Sequence, residues 1–121
     1  MLNYPESRKK VSKMPMHPVK ITVLDCLEPS KLYDPVPINT ETGNPHVKCP
    51  VHHKGQVFTA YSTGTPPEGY CPNAWHDIKE YVAVLMHGGS FYPWLKENEM
   101  IRCCTDGLRP VIYRLERLSP E

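Results

Sequence analysis

The chain lacks any apolar run long enough to cross a bilayer, so no membrane-spanning helix and no membrane partner are expected in its 121 residues. Its basic N-terminal cluster, Arg8-Lys9-Lys10 with Lys13, is not followed by an apolar stretch. No secretory signal is therefore expected, and the cluster reads as a solvated terminus. Surplus charge is missing too. Lys and Arg number 14 against 13 Asp and Glu, a formal net charge of +1. That balance offers no electrostatic footprint for nucleic acid and no acidic tail for a basic partner. No glycine-rich loop opens a helix, which excludes a phosphate cradle of the P-loop kind. Gly88-Gly89 follows a helical pattern instead. A Ser-His-Asp arrangement has no local signature here, and C-x-x-C does not occur.

What the chain does have is cysteine. The 5 cysteines are an odd number and cannot all pair within one chain. With no export signal, they read as thiols or ligands in a cytoplasmic protein rather than as a disulfide framework. Cys49 and Cys71 each precede a proline, Cys103-Cys104 are adjacent, and Cys26 stands apart near the start. The long gaps between them predict convergence in space rather than a linear motif.

Hydrophobic residues at 40% and charged residues at 22% describe a globular chain of one domain that can bury a core. Residues 1–18, with Pro5, Pro15 and Pro18, read as a flexible arm, and a single domain is expected over 19–118. Val19-Lys20-Ile21-Thr22-Val23-Leu24 alternates and is β-branched, a first strand with Val19, Ile21 and Val23 on one face. Residues 27–48 carry Pro29, Pro35, Pro37 and Pro45 and read as a long loop without regular structure, one that covers a site, makes an interface or is a tolerated insertion. Gly55 to Tyr61 is a second strand. Trp75, Ile78, Val82 and Leu85 recur at helical steps and form a core stripe. Pro72 suits the first helical position, which makes Cys71 the N-cap, and Gly88-Gly89 stops the helix. Met100 to Cys104 and Pro110 to Leu118 are the third and fourth strands, joined by an Asp106-Gly107 turn. The fold class predicted is α+β: a small, mainly antiparallel sheet with one amphipathic helix packed across it.

The chemistry concentrates in three places. Cys71 at a helix N-terminus faces free N–H groups and partial positive charge, which favour the thiolate form that acts as nucleophile or metal ligand. Cys49 and His52 have the C-x-x-H spacing that can chelate one metal ion, and zinc takes four Cys or His ligands in closed sites. Iron–sulfur clusters also prefer cysteines. Cys103 and Cys104 point to opposite faces of a strand, so one is expected to join the site and the other to be a buried small residue. A two-residue Asp106-Gly107 loop sets Cys104 opposite Arg109 and Cys103 opposite Pro110, which favours Cys104. Arg109 is a candidate anion holder, and Asp106 serves the turn. His17, His46, His76 and His87 read as ordinary surface histidines.

Cys49-Pro50, Pro67-Glu68-Gly69-Tyr70-Cys71, Ala74-Trp75-His76-Asp77-Ile78, Pro93-Trp94 and above all Cys103-Cys104-Thr105-Asp106-Gly107-Leu108-Arg109-Pro110-Val111 resemble a family of small conserved prokaryotic proteins of uncharacterised activity with a C-terminal C-C-T-D-G-x-R-P-V signature. The resemblance covers roughly residues 19–118. It implies a compact domain in bacteria or archaea, often anaerobes, and no particular activity. Cys26 lies outside the resembling segments.

The expected function is a small metal-binding or redox-accessory protein. Zinc or an iron–sulfur cluster would be held by Cys49, Cys71, one or both of Cys103 and Cys104, and His52. Two alternatives stand beside it. One is a small enzyme with Cys71 as activated thiol, His52 or His76 as base and Arg109 as anion holder. The other is a structural or interaction subunit with inert buried cysteines. A homo-oligomer or a partner enzyme fits any of the three.

Overall fold

The computed structural model describes residues 16–120, so the expected arm lies almost wholly outside the described residues. The elements in chain order are β1 (Val19–Cys26), the single turn α1 (Pro29–Leu32), β2 (Val57–Ala60), α2 (Pro72–Met86), β3 (Glu99–Cys103) and β4 (Val111–Arg117). The strands form one four-stranded sheet in the order β2-β1-β4-β3, every neighbouring pair antiparallel. Helix α2 packs across one face, which is the predicted α+β architecture.

Strand alternation decides which side chains meet the helix. Val19, Ile21 and Val23 of β1, Met100 of β3, and Val111, Tyr113 and Leu115 of β4 are buried on the inner face. They meet Trp75, Ile78, Val82, Leu85 and Met86 of α2, the stripe expected from the helical spacing. Burying each large apolar side chain stabilises the fold by roughly 1.5–3 kcal/mol. Among the described residues no helix is long and apolar enough to cross a membrane.

A bulge in β1 redirects one of the cysteines. The register runs Val23↔Tyr113 and then Asp25↔Ile112, which leaves Leu24 unpaired. An extra residue reverses the alternation beyond it. Cys26, which would otherwise share the outer face with Lys20 and Thr22, turns inward opposite Val111 and is only 8% exposed.

Three expectations are corrected. The hairpin between β3 and β4 does not turn on two residues. Cys103 pairs with Ile112, and the Cys104 amide donates to Val111 O at 3.0 Å, so the connection spans 104–110. Two residues account for this. The Asp106 carboxylate accepts the amides of Leu108 and Arg109 at 3.0 and 3.1 Å, which builds a wider turn. Pro110 has no N–H to give the ladder. Second, Cys103 is exposed rather than buried, because the outer sheet face it occupies carries no covering layer at that edge strand. Third, residues 27–48 are not wholly irregular. Pro29 starts the α1 turn at the position where its missing N–H costs nothing. Farther on, Ile38 bridges Pro45 and the Asn39 side chain accepts the amide of Glu41 at 2.9 Å, closing a small turn.

Candidate functional site

All five cysteines gather at one end of the molecule, and all are free. The antiparallel order puts the end of β1, the end of β3 and the start of β4 beside the N-terminus of α2. A cavity of about 560 Å³ opens there, and Cys49, Cys71 and Cys104 line it together with His52, Asp77, Arg109 and Tyr113. Three of the predicted sulfurs therefore share one cavity. Cys103, on the outer face of β3, does not line it. Partial desolvation and then the adjacent Cys104 raise the Cys103 thiol above its ordinary value.

Each sulfur has a different local setting. Cys104 sits where the β3–β4 ladder ends, and the Val111 amide donates to its Sγ at 3.2 Å. The sulfur thus acts as an acceptor from the backbone. Cys71 is the N-cap of α2 as predicted: its carbonyl accepts the Trp75 amide at 3.0 Å, and its side chain makes no capping bond. The thiol is left to the cavity. Cys49 is half-buried against the core edge. Cys26 lies next to the group but donates its S–H to His52 O at 3.3 Å. Burial and then the neighbouring Cys49 push that thiol up, so it stays protonated. This agrees with its place outside the predicted site.

His52 is with the sulfurs but turned to another task. It is 3% exposed and stacks among Phe58, Tyr70 and Tyr113, with ring centroids 5.5, 4.9 and 5.8 Å away. The Cys71 backbone amide can only donate, so at 3.3 Å it fixes Nε2 as an acceptor. The ring proton then sits on Nδ1 and is donated to Gln56 Oε1 at 3.1 Å. The Gln56 oxygen also accepts the His53 amide at 3.3 Å, consistent with that assignment. Burial lowers the His52 pKa, against the opposing effect of the Gln56 bond, and keeps the ring neutral. With both nitrogens engaged, His52 holds the Cys71 turn in place rather than offering a lone pair to the cavity.

The remaining wall is a latch between loop 104–110 and α2. Thr105 donates its amide and hydroxyl to Asp77 Oδ2 at 2.8 and 3.2 Å. Arg109 pairs with Asp106 at 3.4 Å, partly in solvent, where such a pair contributes at most about 1 kcal/mol. Tyr33, just past α1, donates its hydroxyl to Gly107 O, and the Lys48 amide reaches Glu28 at 3.3 Å. The long 27–48 loop thereby braces the latch without lining the cavity itself.

The cavity wall also includes the phenol of Tyr113, with Tyr70 packed behind it, and neither was singled out from the sequence. Tyr113 is fully buried at its inner wall and Tyr70 nearly so, yet neither hydroxyl has a hydrogen-bond partner among the described residues. The two hydroxyls face each other closely enough to interact, short of a well-aligned hydrogen bond. Burial raises the pKa of both, so both are neutral phenols. Leaving such a group unpartnered costs roughly 1–3 kcal/mol. The signal was present in the alternation of β4, whose inward positions hold Val111, Tyr113 and Leu115, one polar group among apolar ones. Asp77 was legible in the same way, as a carboxylate beside the helical stripe.

Among the described residues no three His, Cys, Asp or Glu side chains form a group that could hold a metal ion. The segment Cys103–Val111, which carries most of the family resemblance, supplies Cys104, Thr105, Asp106, Arg109 and Val111 to the cavity wall. No protein-family model matches the chain, and neither the curated proteins nor the solved structures contain a match to it.

Proposed function

We propose that this chain is a small metal-binding protein of redox-accessory type whose ligands are Cys49, Cys71 and Cys104. The observation that carries this reading is the convergence of three free thiols from three distant segments on one cavity. Around them, Cys26 is engaged by His52 and Cys103 faces away, which separates ligand thiols from bystanders. Such a protein would work in a reducing, cytoplasmic setting where thiols persist. Membership of the small prokaryotic family that the Cys103–Val111 segment resembles belongs to the same proposal. The alternative of an enzyme with Cys71 as nucleophile has less support, since the His52 ring nitrogens are both committed and, of the two histidines expected as its base, the one left is the exposed His76.

The test is metal content. Protein made anaerobically without chelators is expected to carry bound zinc or iron. Cys49→Ser, Cys71→Ser and Cys104→Ser should each lose it, while Cys26→Ser and Cys103→Ser keep it. Wild-type protein that takes up no metal, or loss that follows Cys103 rather than Cys104, would overturn the assignment.

A further inference from the structure

The sheet face turned away from α2 breaks the usual division of an antiparallel sheet, in which apolar side chains point inward and polar ones outward. Its register runs across all the strands. Val57, Thr22, Arg114 and Ile101 stand in one row, and Thr59, Lys20, Glu116 and Glu99 in the next. A further row holds Asp25, Ile112 and Cys103, with Leu24 beside Asp25 in the bulge. Val57, Leu24, Ile112, Ile101 and Cys103 are thus apolar groups at outward positions. Val57, Ile101 and Cys103 are exposed, so nothing among the described residues covers the face at either edge strand. An exposed apolar patch rimmed by polar side chains marks an interaction surface.

The charges on the face select what covers it. Lys20 lies opposite Glu116, and Arg114 pairs with Glu99 at 4.0 Å. Asp25 sits at the rim, at the end of the face. Cations and anions nearly balance, so a strongly charged ligand of either sign finds little to hold it. That applies equally to the chain's own basic segment, Arg8-Lys9-Lys10 with Lys13. The face is instead complementary to itself. The strand order is β2-β1-β4-β3. A two-fold axis along the strands, between β1 and β4, lays β1 over the second copy's β4 and β2 over its β3, with the rows in step. Lys20 then meets the second copy's Glu116, Leu24 its Ile112 and Val57 its Ile101, and each contact occurs twice. Stacked sheets keep their strands within about 30° of each other, as this axis does. We infer that the outer sheet face is the interface of a homodimer, in which two copies stack face to face with Lys20 against the second copy's Glu116. The cavity lies on the α2 side of the sheet, so both copies keep it open and the dimer stands apart from the metal-binding reading.

Sedimentation velocity of the reduced chain, from low to high micromolar concentration, tests the assignment. Wild type should sediment as a dimer at the upper end. Ile101→Lys places an unpaired charge in the apolar contact with Val57 and should weaken association at least about ten-fold. Lys20→Glu and Glu116→Lys each set like charges opposite one another, and each should be monomeric alone. Mixed in equal amounts they should associate, because every contact between positions 20 and 116 then joins a glutamate to a lysine. Association of the mixture also shows that both variants are folded. A wild type that stays monomeric at every concentration overturns the dimer. If Ile101→Lys also lowers the urea midpoint of that monomer, residues 1–15 of the same chain cover the face in place of a second copy. A dimer unmoved by Ile101→Lys, or a mixture no more associated than either charge variant alone, puts the contact elsewhere and overturns the assignment.

Discussion

The two ends of helix α2 are built differently. At its C-terminus the backbone is closed off. Gly88, with φ of 85°, and Gly89 donate their amides to Leu85 O at 3.1 Å and Val84 O at 2.7 Å, a Schellman arrangement. The Arg117 guanidinium, arriving from the end of β4, donates to Leu85 O and Gly89 O and brings positive charge to the negative end of the helix. Even the chain entering β1 is tied down, with the His17 amide donating to Met86 O at 2.9 Å. At the N-terminus, among the described residues, no side chain caps the helix, two buried tyrosine hydroxyls have only each other nearby, and three thiols border a cavity. A fold that satisfies one end and leaves thiols and a cavity at the other sets its best-satisfied backbone and its proposed binding site at opposite poles. Substitutions at the two ends should therefore differ in kind as well as in size.

The largest effects belong to the closed half. Leu85→Ala empties a fully buried position under the last turn of the helix and should destabilise the protein by roughly 2–5 kcal/mol in urea unfolding. Gly89→Ala comes next. A Cβ there would meet Val84 Cγ1 at 2.5 Å and the Val84 carbonyl oxygen at 2.8 Å, and a backbone oxygen cannot swing away. A loss of roughly 1–3 kcal/mol is expected, as for other overpacked sites. Both variants should still load metal to wild-type stoichiometry in the conditions where they are folded. Loss of metal from a folded Gly89→Ala protein would show that the two poles are coupled through the helix.

A subtler difference lies in the response to pH. His52 belongs to the open half, and burial holds its pKa below the ordinary value. In the unfolded chain the same ring titrates near 6.5. Below about that pH the unfolded chain takes up a proton that the folded chain refuses, so stability falls as the pH drops from about 6.5 towards the folded pKa, and levels off once both states are protonated. Protonation would also cost the bond from the Cys71 amide to Nε2. In metal-free protein, urea midpoints at pH 7.5, 6.5 and 5.5 should decline for wild type and decline less for His52→Gln, which cannot titrate. Parallel declines would place the acid sensitivity elsewhere.

The closed half was the legible half. The alternation of Val19, Ile21 and Val23, the stripe of Trp75, Ile78, Val82 and Leu85, and the Gly88-Gly89 stop all follow from local rules, and the core formed as they predict. At the open end local rules ran out. Leu24 is as apolar and as suited to a strand as its neighbours, so nothing marks it as the bulged residue that turns Cys26 inward. The Asp106-Gly107 dipeptide signals a tight hairpin, but the Asp106 carboxylate bonds along its own backbone and widens the turn, so Arg109 is not set opposite Cys104. His52 looked like a ligand because spacing shows which residues can meet and not which lone pairs are already committed. The convergence of Cys49, Cys71 and Cys104 was anticipated from their long spacings, and strand parity said that Cys103 and Cys104 would part, but the choice of Cys104 rested on the two-residue turn that does not form.

The smallest expected effect tests the comparison most directly. Tyr113→Phe removes a single oxygen from a residue that is 0% exposed and leaves the ring packing against His52 and Tyr70 unchanged. Were that hydroxyl bonded within the metal-free chain, its loss should destabilise the protein by about 1 kcal/mol. An unpartnered hydroxyl instead carries a desolvation cost that the substitution relieves, offset by the small gap left behind. The metal-free variant should then match wild type within about 0.5 kcal/mol or be slightly more stable. Urea unfolding of both proteins, stripped of metal and kept reduced, measures the difference. A clear loss of stability would mean that the hydroxyl is already satisfied in the free chain, and that the open end of the helix is no less complete than the closed one.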